Sequence, residues 1–424
     1  MKSTVDQLKQ KLESALAAGT VACEADAVKK YQVDGKEPAL AVKPQSAAEI
    51  AAALRLCSEA EATVIPWGGG TAIAIGNPPR RADVVMELTA FNRVVEHDAA
   101  NLTVSVQGGA ALNAVQSALE GQKQFAPFDP PFADRATVGA IVAANLNGPR
   151  RSSCGSVRDL VIGLKVTLAN GEEIKAGGKV VKNVAGYDLC KLFVGSLGTL
   201  GVITEVTLRV APIPESGATL IASGDLAQAE RFATELCRSP LLPAAVYLFS
   251  EDGGKNWRVV VCCEGFEETV ARQLREVATL AARGGMDEEI LSAEVQSALW
   301  QRLCNLPLQS ERLVYRVTLP RAAVFDFLQR ARHWPVLEIA CDAATGTVWI
   351  VCAAKPTVLG WFSQLIESAH AQRGHAIILA APAALKSAVN VWGPSPSTLS
   401  LMREIKRQFD PKGLLNPGRF VGGL

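Results

Sequence analysis

From Val202 onward the side chains alternate, with Val202, Val206, Leu208 and Val210 on one face and Glu205, Thr207 and Arg209 on the other. A period of two predicts a half-buried strand. Short apolar runs predict further strands at Leu40–Val42, Thr63–Pro66, Asp83–Leu88, Val94–His97 and Leu102–Gln107. Ser46 and Glu49 form an S-x-x-E capping box ahead of Ile50, Leu54 and Leu56, which predicts a helix to about Ala60. A second helix is expected over Ala111–Leu119. The later half of the chain reads as strand Ala218–Ser223, helix Ala227–Cys237, strands Ala244–Phe249 and Trp257–Cys263, and helix Glu267–Ala282. That β-α-β-β-α order recurs at Leu313–Leu319, Ala322–Arg332, Val336–Ala340, Thr347–Cys352 and Val358–Gln372, and Ala376–Leu379 adds a last strand. Two related α+β halves with an antiparallel sheet are the simplest packing of such elements.

Three clusters of small residues interrupt this pattern. Gly195, Gly198 and Gly201 stand directly before the Val202 strand. In a nicotinamide-type fingerprint the glycines follow a strand and open a helix, so the order here excludes that fold. Pro66-Trp67-Gly68-Gly69-Gly70-Thr71 follows the Thr63–Pro66 strand; consecutive glycines can turn several N–H groups toward one anion, and the Thr71 hydroxyl adds a donor. No Walker lysine accompanies them. The third cluster runs from Thr137-Val138-Gly139-Ala140 through Ala143, Ala144, Asn145, Asn147 and Gly148, after Asp129-Pro130-Pro131, which demands an extended loop. Each cluster taken singly reads as a turn or a close helix contact; three in one order point to a ligand.

Length and charge narrow the class. A chain of 424 residues exceeds what one core usually serves, so two or three domains are expected. With 43 basic and 42 acidic residues the net charge is +1, which gives no bulk electrostatic case for a nucleic-acid partner. The first twenty residues carry Lys2, Asp6, Lys9, Lys11 and Glu13 in place of an apolar secretory core, and the longest apolar runs are too short to span a bilayer. A cytoplasmic protein is expected, with any inner-membrane contact peripheral. The ten cysteines are scattered and form no Cys-x-x-Cys, so they read as small buried hydrophobes and neither a metal nor an iron-sulfur cluster is expected in this chain.

The sequence, order and spacing of the three clusters resemble the FAD-binding domain of the vanillyl-alcohol oxidase, or PCMH-type, flavoproteins. Gly155-Ser156-Val157-Arg158-Asp159 and Asp188-Leu189-Cys190-Lys191-Leu192-Phe193 resemble further family segments, and Phe409-Asp410-Pro411-Lys412-Gly413-Leu414-Leu415-Asn416-Pro417-Gly418-Arg419-Phe420 resembles the family's C-terminal signature. The resemblance implies an α+β architecture: a PCMH-type FAD-binding domain of two α+β subdomains over residues 1–215, a ferredoxin-like duplicated α+β cap over 216–390, and a segment 391–424 that returns to the FAD domain. It implies that Pro66, Trp67, Gly68, Gly69, Gly70 and Thr71 surround the FAD pyrophosphate, and that Thr137, Gly139, Ala144, Asn145 and Gly148 line the flavin and its phosphates. Gly198, Leu200, Gly201, Val202 and Ile203 then offer backbone to the rings, with Asn416 and Arg419 at the flavin edge. Some family members bind flavin covalently through a histidine in the first glycine loop; Trp67 and no histidine stands there, so FAD is expected to be non-covalent.

Related hydroxyacid dehydrogenases carry a Gly-Asp-Gly-x-x-His segment in the cap, which this chain lacks. Its histidines beyond His97 are His333, His370 and His375, and surface or capping roles are expected for them. With Lys179-Val180-Val181-Lys182-Asn183-Val184-Ala185-Gly186-Tyr187-Asp188, the chain most resembles the FAD-binding E-type subunits of bacterial glycolate oxidases. That resemblance implies two partners, a homologous flavoprotein subunit bearing the hydroxyacid site and an iron-sulfur subunit. A self-contained flavin dehydrogenase, with a base among Tyr187, Lys182, Arg158 or the cap, stays open, as does a non-catalytic assembly subunit. The catalytic base is not legible in the sequence.

Overall fold

The computed structural model describes residues 2–179 and 187–424. The segment 180–186, with Lys182 and most of the Lys179–Asp188 resemblance, lies outside the described residues. The chain divides into one unit of Met1–Leu146, Val157–Pro212 and Pro394–Leu424 and a second of Asn147–Ser156 and Ile213–Gly393.

Among the described residues of the first unit, strands β1 (Val21–Ala22), β2 (Leu40–Val42), β3 (Val64–Trp67) and β4 (Val84–Glu87) form a sheet in the order β1-β2-β4-β3, in which β2 and β3 both run parallel to β4. Helix Ala47–Glu59 covers it through Ile50, Ala53, Leu54 and Cys57. Only half of the expected capping box is made: Ser46 accepts from the Glu49 amide, but the Glu49 carboxylate accepts from the amides of Gln45 and Ala17. A five-stranded antiparallel sheet follows, ordered β5-β6-β10-β8-β9, from β5 (Val94–Asp98), β6 (Thr103–Gln107), β8 (Val161–Thr167), β9 (Glu173–Gly177) and β10 (Val202–Arg209); the short pair β7 (Gln124–Phe125) and β11 (Ala211–Pro212) stands apart. β10 is the central strand and is buried on both faces, not on one. Its polar face is matched rather than solvated: Lys165 pairs with Glu205 at 2.9 Å and Ser105 bonds Thr207 at 2.8 Å.

The second unit is built on eight antiparallel strands, β12 (Ser216–Gly224), β13 (Ala245–Ser250), β14 (Trp257–Gly265), β15 (Asp287–Ile290), β16 (Leu313–Thr318), β17 (Val336–Asp342), β18 (Thr347–Cys352) and β19 (His375–Ala380), ordered β15-β12-β14-β13-β17-β18-β16-β19. Numbered within each half, that order is 4-1-3-2 followed by 2-3-1-4: two βαββαβ halves joined by antiparallel pairing of their second strands, β13 and β17. Each half is ferredoxin-like. Alternate residues of the strands meet the helices in one core around Trp257, Phe232, Tyr315 and Phe327. The adjacent Cys262 and Cys263 are both buried, as expected for small apolar side chains on a covered sheet. Helix Leu226–Arg238 opens on a complete capping box between Asp225 and Gln228. The expected helix over 358–372 breaks at Gly360 into Pro356–Leu359 and Trp361–Ala371. Residues 147–156, which the sequence pattern left with the first domain, belong here, where Arg150 makes a two-pronged ion pair with Glu264 (3.0 and 2.6 Å) and Ser152 donates to the Ala244 carbonyl.

Candidate functional site

The first unit contains an open cleft of about 690 Å³, a figure that includes the solvent space at its mouth. Four chain segments wall it. The end of β3 and the following loop contribute Pro66, Trp67, Gly68, Gly70, Thr71, Ala72 and Ile73; the loop-and-helix segment Thr137 to Ala144 contributes Thr137, Gly139, Ala140, Ala143 and Ala144. The turn before β10 supplies Leu197, Gly198 and Gly201 and the start of β10 supplies Ile203, while the C-terminal segment supplies Asn416 and Arg419. Leu88 and Gly108 complete the wall.

The segments are fixed to one another by backbone. The Gly108 amide donates to Thr204, and the Gly139 amide to Gly108, so the helix Val138–Ala144 starts against the end of β6 and the start of β10. Val64 exchanges bonds with the C-terminal segment, its amide donating to the Leu414 carbonyl and its carbonyl accepting from the Asn416 amide, both at 2.9 Å. In the glycine loop only Gly70 is left-handed, at φ +75°. Gly69 is required for a different reason: a Cβ there would stand 1.7 Å from the Arg135 carbonyl oxygen. The Trp67 ring folds over Gly70 and meets Tyr31 edge-on at 5.4 Å.

Tyr31 belongs to a buried network behind this loop. Its hydroxyl and that of Thr89 donate to Glu87, and Lys43 pairs with Glu87 at 2.9 Å. Burial pushes the Glu87 carboxyl up, but the bonds from Thr89, Tyr31 and Lys43 outweigh it and hold the group below its ordinary value of 4.5. Its stabilising contribution is therefore complete above that value and is lost as pH falls through the lower, folded one. Tyr31→Phe removes one donor to a charged acceptor, so stability near neutral pH is expected to fall by about 1.5–3 kcal/mol. The acid limb of a plot of melting temperature against pH is also expected to move to higher pH. An unmoved acid limb would separate Glu87 from the acid transition.

Arg419 is 1% exposed, with Nη2 donating to the carbonyls of Ile73 and Ile75 and Nη1 3.6 Å from Asp34. Burial lowers its pKa to about 10 against the opposing pull of Asp34, so it remains charged at neutral pH. Three buried polar atoms on the cleft residues, Thr71 Oγ1, Thr137 Oγ1 and Asn416 Oδ1, have no hydrogen-bond partner among the described residues. Buried polar atoms are nearly always paired, so this set is matched to a polar guest.

Of the residues expected at a cofactor site, Pro66, Trp67, Gly68, Gly70, Thr71, Thr137, Gly139, Ala144, Gly198, Gly201, Ile203, Asn416 and Arg419 line this one cleft. Five do not. Gly69 packs behind the loop, Asn145 is the left-handed C-cap of the Val138–Ala144 helix, and Val202 is buried in the core beneath β10. Leu200 lines a neighbouring cavity and Gly148 falls in the second unit. Ala72, Ile73, Leu88 and Gly108 were not anticipated, while Ala140, Ala143 and Leu197 lie within the small-residue clusters read as ligand contacts. The Gly108-Gly109 pair closing β6 was the available signal: a Cβ at Gly108 would lie 2.2 Å from the Ile203 carbonyl.

Residues 38–177 match the family described as FAD binding domain, and residues 391–420 match the one described as FAD linked oxidases, C-terminal domain. Glycolate oxidase subunit GlcE of Escherichia coli (strain K12) is 31% identical over 346 residues, 80% of this chain and 87% of the relative. The chain belongs to the FAD-linked oxidases. As such it is an oxidoreductase with a PCMH-type FAD-binding fold, and FAD is its cofactor. Glycolate oxidase subunit GlcD of Bacillus subtilis (strain 168) is 28% identical over 452 residues, covering 95% of this chain and 92% of the relative, so both subunit types of that name are similar to it. The solved alkyldihydroxyacetonephosphate synthase shares the fold, with a TM-score of 0.75 at 16% identity over 97% of this chain and 84% of that one. Among the described residues no helix is long and apolar enough to cross a membrane, and no cluster of three metal-ligating side chains occurs.

Proposed function

We propose that the cleft of the first unit holds FAD non-covalently and that the chain is the FAD-binding subunit of a glycolate oxidase-type complex, oxidising glycolate to glyoxylate. The observation that carries this reading is the wall of the cleft, where glycines and small side chains stand beside Trp67, Leu88 and Leu197 and where, among the described residues, the buried oxygens of Thr71, Thr137 and Asn416 have no hydrogen-bond partner. Thr71 and the amides of the Gly68–Thr71 loop fit the pyrophosphate, while Asn416 and the 197–203 backbone fit the ring system. Bound there, FAD supplies the acceptor for the two electrons and the hydrogen leaving the substrate carbon. Trp67, folded over its own loop, offers no nucleophile for a covalent link.

A 2-hydroxy acid also needs a cation for its carboxylate and an acceptor for its hydroxyl proton. Burial, Arg316 and His370 together push His375 below its ordinary value, and among the described residues it belongs to no cluster of three His, Cys, Asp or Glu side chains. We assign the proton acceptor to a homologous flavoprotein partner, with an iron-sulfur subunit carrying electrons onward, in a cytoplasmic complex that meets the inner membrane only peripherally. Similarity to the D-lactate dehydrogenase of Archaeoglobus fulgidus, 28% identical over 90% of this chain and 91% of the relative, supports a second reading, a self-contained dehydrogenase.

Acid precipitation of the purified chain is expected to leave intact FAD in the supernatant. Anaerobic glycolate is expected to bleach the lone flavin slowly or not at all, with fast reduction on reconstitution and no loss from His333→Ala, His370→Ala or His375→Ala. Rapid bleaching of the lone chain, abolished by one of those replacements, would instead establish the self-contained enzyme.

A further inference from the structure

The turn before β10 is held in a costly shape. Gly195 and Gly198 are left-handed, at φ +83° and +68°, and so is Leu197 at +52°, which costs a side-chain-bearing residue about 1–2 kcal/mol. Leu197, Gly198 and Gly201 all face the cleft, so whatever keeps this turn in place shapes the site. Its amides bond back to the Val138–Ala144 helix, Gly195 to Val142 and Leu197 to Ala143. Its carbonyls are held from the C-terminal segment. Asn416 Nδ2 donates to Leu197 at 2.6 Å, and Lys406 Nζ donates to Thr199 at 2.6 Å.

Lys406 lies on helix Leu399–Phe409, where a charged residue ordinarily faces water, yet it is 7% exposed. Its three ammonium protons are spent on Thr199 O, Leu415 O (3.0 Å) and Asp410 Oδ2 (2.6 Å). Asp410, 1% exposed, accepts in addition from the amides of Leu414 and Leu415. One ammonium thus ties the turn to the segment whose Leu414 and Asn416 bond the first strand of the glycine loop. Two charges are not needed to pack a helix here, since apolar side chains of similar volume do so at no desolvation cost. What an ammonium adds is three fixed directions, one of them aimed at a carbonyl of the turn.

We propose that Lys406 is a positioning residue for the cofactor: held by Asp410, it presets the 195–201 turn in the shape that receives FAD. The proposal rests on the cleft being the FAD site. Lys406→Met is expected to raise the FAD dissociation constant of the apoprotein at least tenfold and to lower its melting temperature, because Asp410 is left buried and uncompensated. The double variant K406M/D410N separates the two effects. With both charges gone the melting temperature is expected to recover, while the FAD dissociation constant stays at least tenfold above the parent because Thr199 remains unheld.

Recovery of both quantities, or unchanged FAD affinity in K406M, would make Lys406 a charge partner only and overturn the proposal. Thr71→Val run alongside tests the underlying assignment: weakened binding in T71V with unchanged binding in K406M removes the role of Lys406 alone, whereas unchanged binding in both removes the cleft as the FAD site. Should the variants not fold, hydrogen exchange on the unmodified apoprotein decides. Slow exchange at 197–201 before FAD is added is expected, and exchange as fast as in open loops would refute a preset turn.

Discussion

Gly69→Ala is expected to yield a protein that retains no FAD through gel filtration and loses about 3 kcal/mol or more of stability. The added carbon would sit 1.7 Å from the Arg135 carbonyl oxygen and 2.8 Å from its carbon. Both are backbone atoms, and they lead directly into Thr137 and the cleft-lining helix. Relief therefore requires the whole glycine loop to back away from that segment, which displaces two walls of the cleft. Neighbouring glycines set the comparison. At Gly68 the new carbon meets Thr137 Oγ1 at 2.1 Å, a side-chain atom that rotation can move. At Gly70 the penalty is the left-handed backbone, about 1–2 kcal/mol, with contact to the Trp67 ring at 2.9 Å. The expected order of damage is Gly69, then Gly70, then Gly68, read from urea melts and retained flavin absorbance. A Gly69→Ala protein as stable and as yellow as the parent would mean that the loop does not rest on Arg135.

Arg419→Met is expected to cost about 3–5 kcal/mol, the usual effect of breaking a buried ion pair by removing one partner. Methionine fills most of the volume but leaves the carbonyls of Ile73 and Ile75 without their donor and Asp34 without its counter-charge. Ile73 lines the cleft, so FAD affinity is expected to fall together with stability. Arg419→Lys keeps the charge but lacks the planar fork that reaches two carbonyls and a carboxylate, and should recover only part of the loss. Adding Asp34→Asn to Arg419→Met removes the orphaned charge and should return a measurable share of the stability. Denaturant midpoints for the four proteins test this; an Arg419→Met variant within 1 kcal/mol of the parent, roughly the worth of a single exposed pair, would show that the guanidinium is not structurally engaged.

The strand periodicities and the order of the glycine clusters were legible because they are local. Alternation over six to nine residues marks a strand whatever it packs against, and the three clusters resemble one family in sequence order alone. Features made by distant residues were not legible. Gly69 reads as part of an anion nest, whereas its requirement comes from a carbonyl of residue 135. Lys406 carries no local signal in the sequence, and only its burial against Thr199 and Leu415 sets it apart. Strand Asp287–Ile290 escaped because it is an exposed sheet edge with acidic side chains on both faces, so no alternation exists to detect. Helix Ala293–Asn305 buries only Leu303 fully, too little for a clear apolar stripe. A catalytic base has no signature in sequence order alone, because a base is recognised by the groups packed around it.

The cleft draws its walls from residues 66 to 419, and the strand β3 that begins it is hydrogen-bonded to Leu414 and Asn416. During translation, at roughly 5–20 residues per second, the first glycine loop leaves the ribosome long before its final wall exists. The second unit, by contrast, has nearly all of its chain in one uninterrupted stretch and can collapse while the first still waits. FAD is therefore expected to be acquired only after release of residue 419, which makes loading a late event that follows folding of the duplicated sheet and leaves the nascent first unit dependent on protection until then.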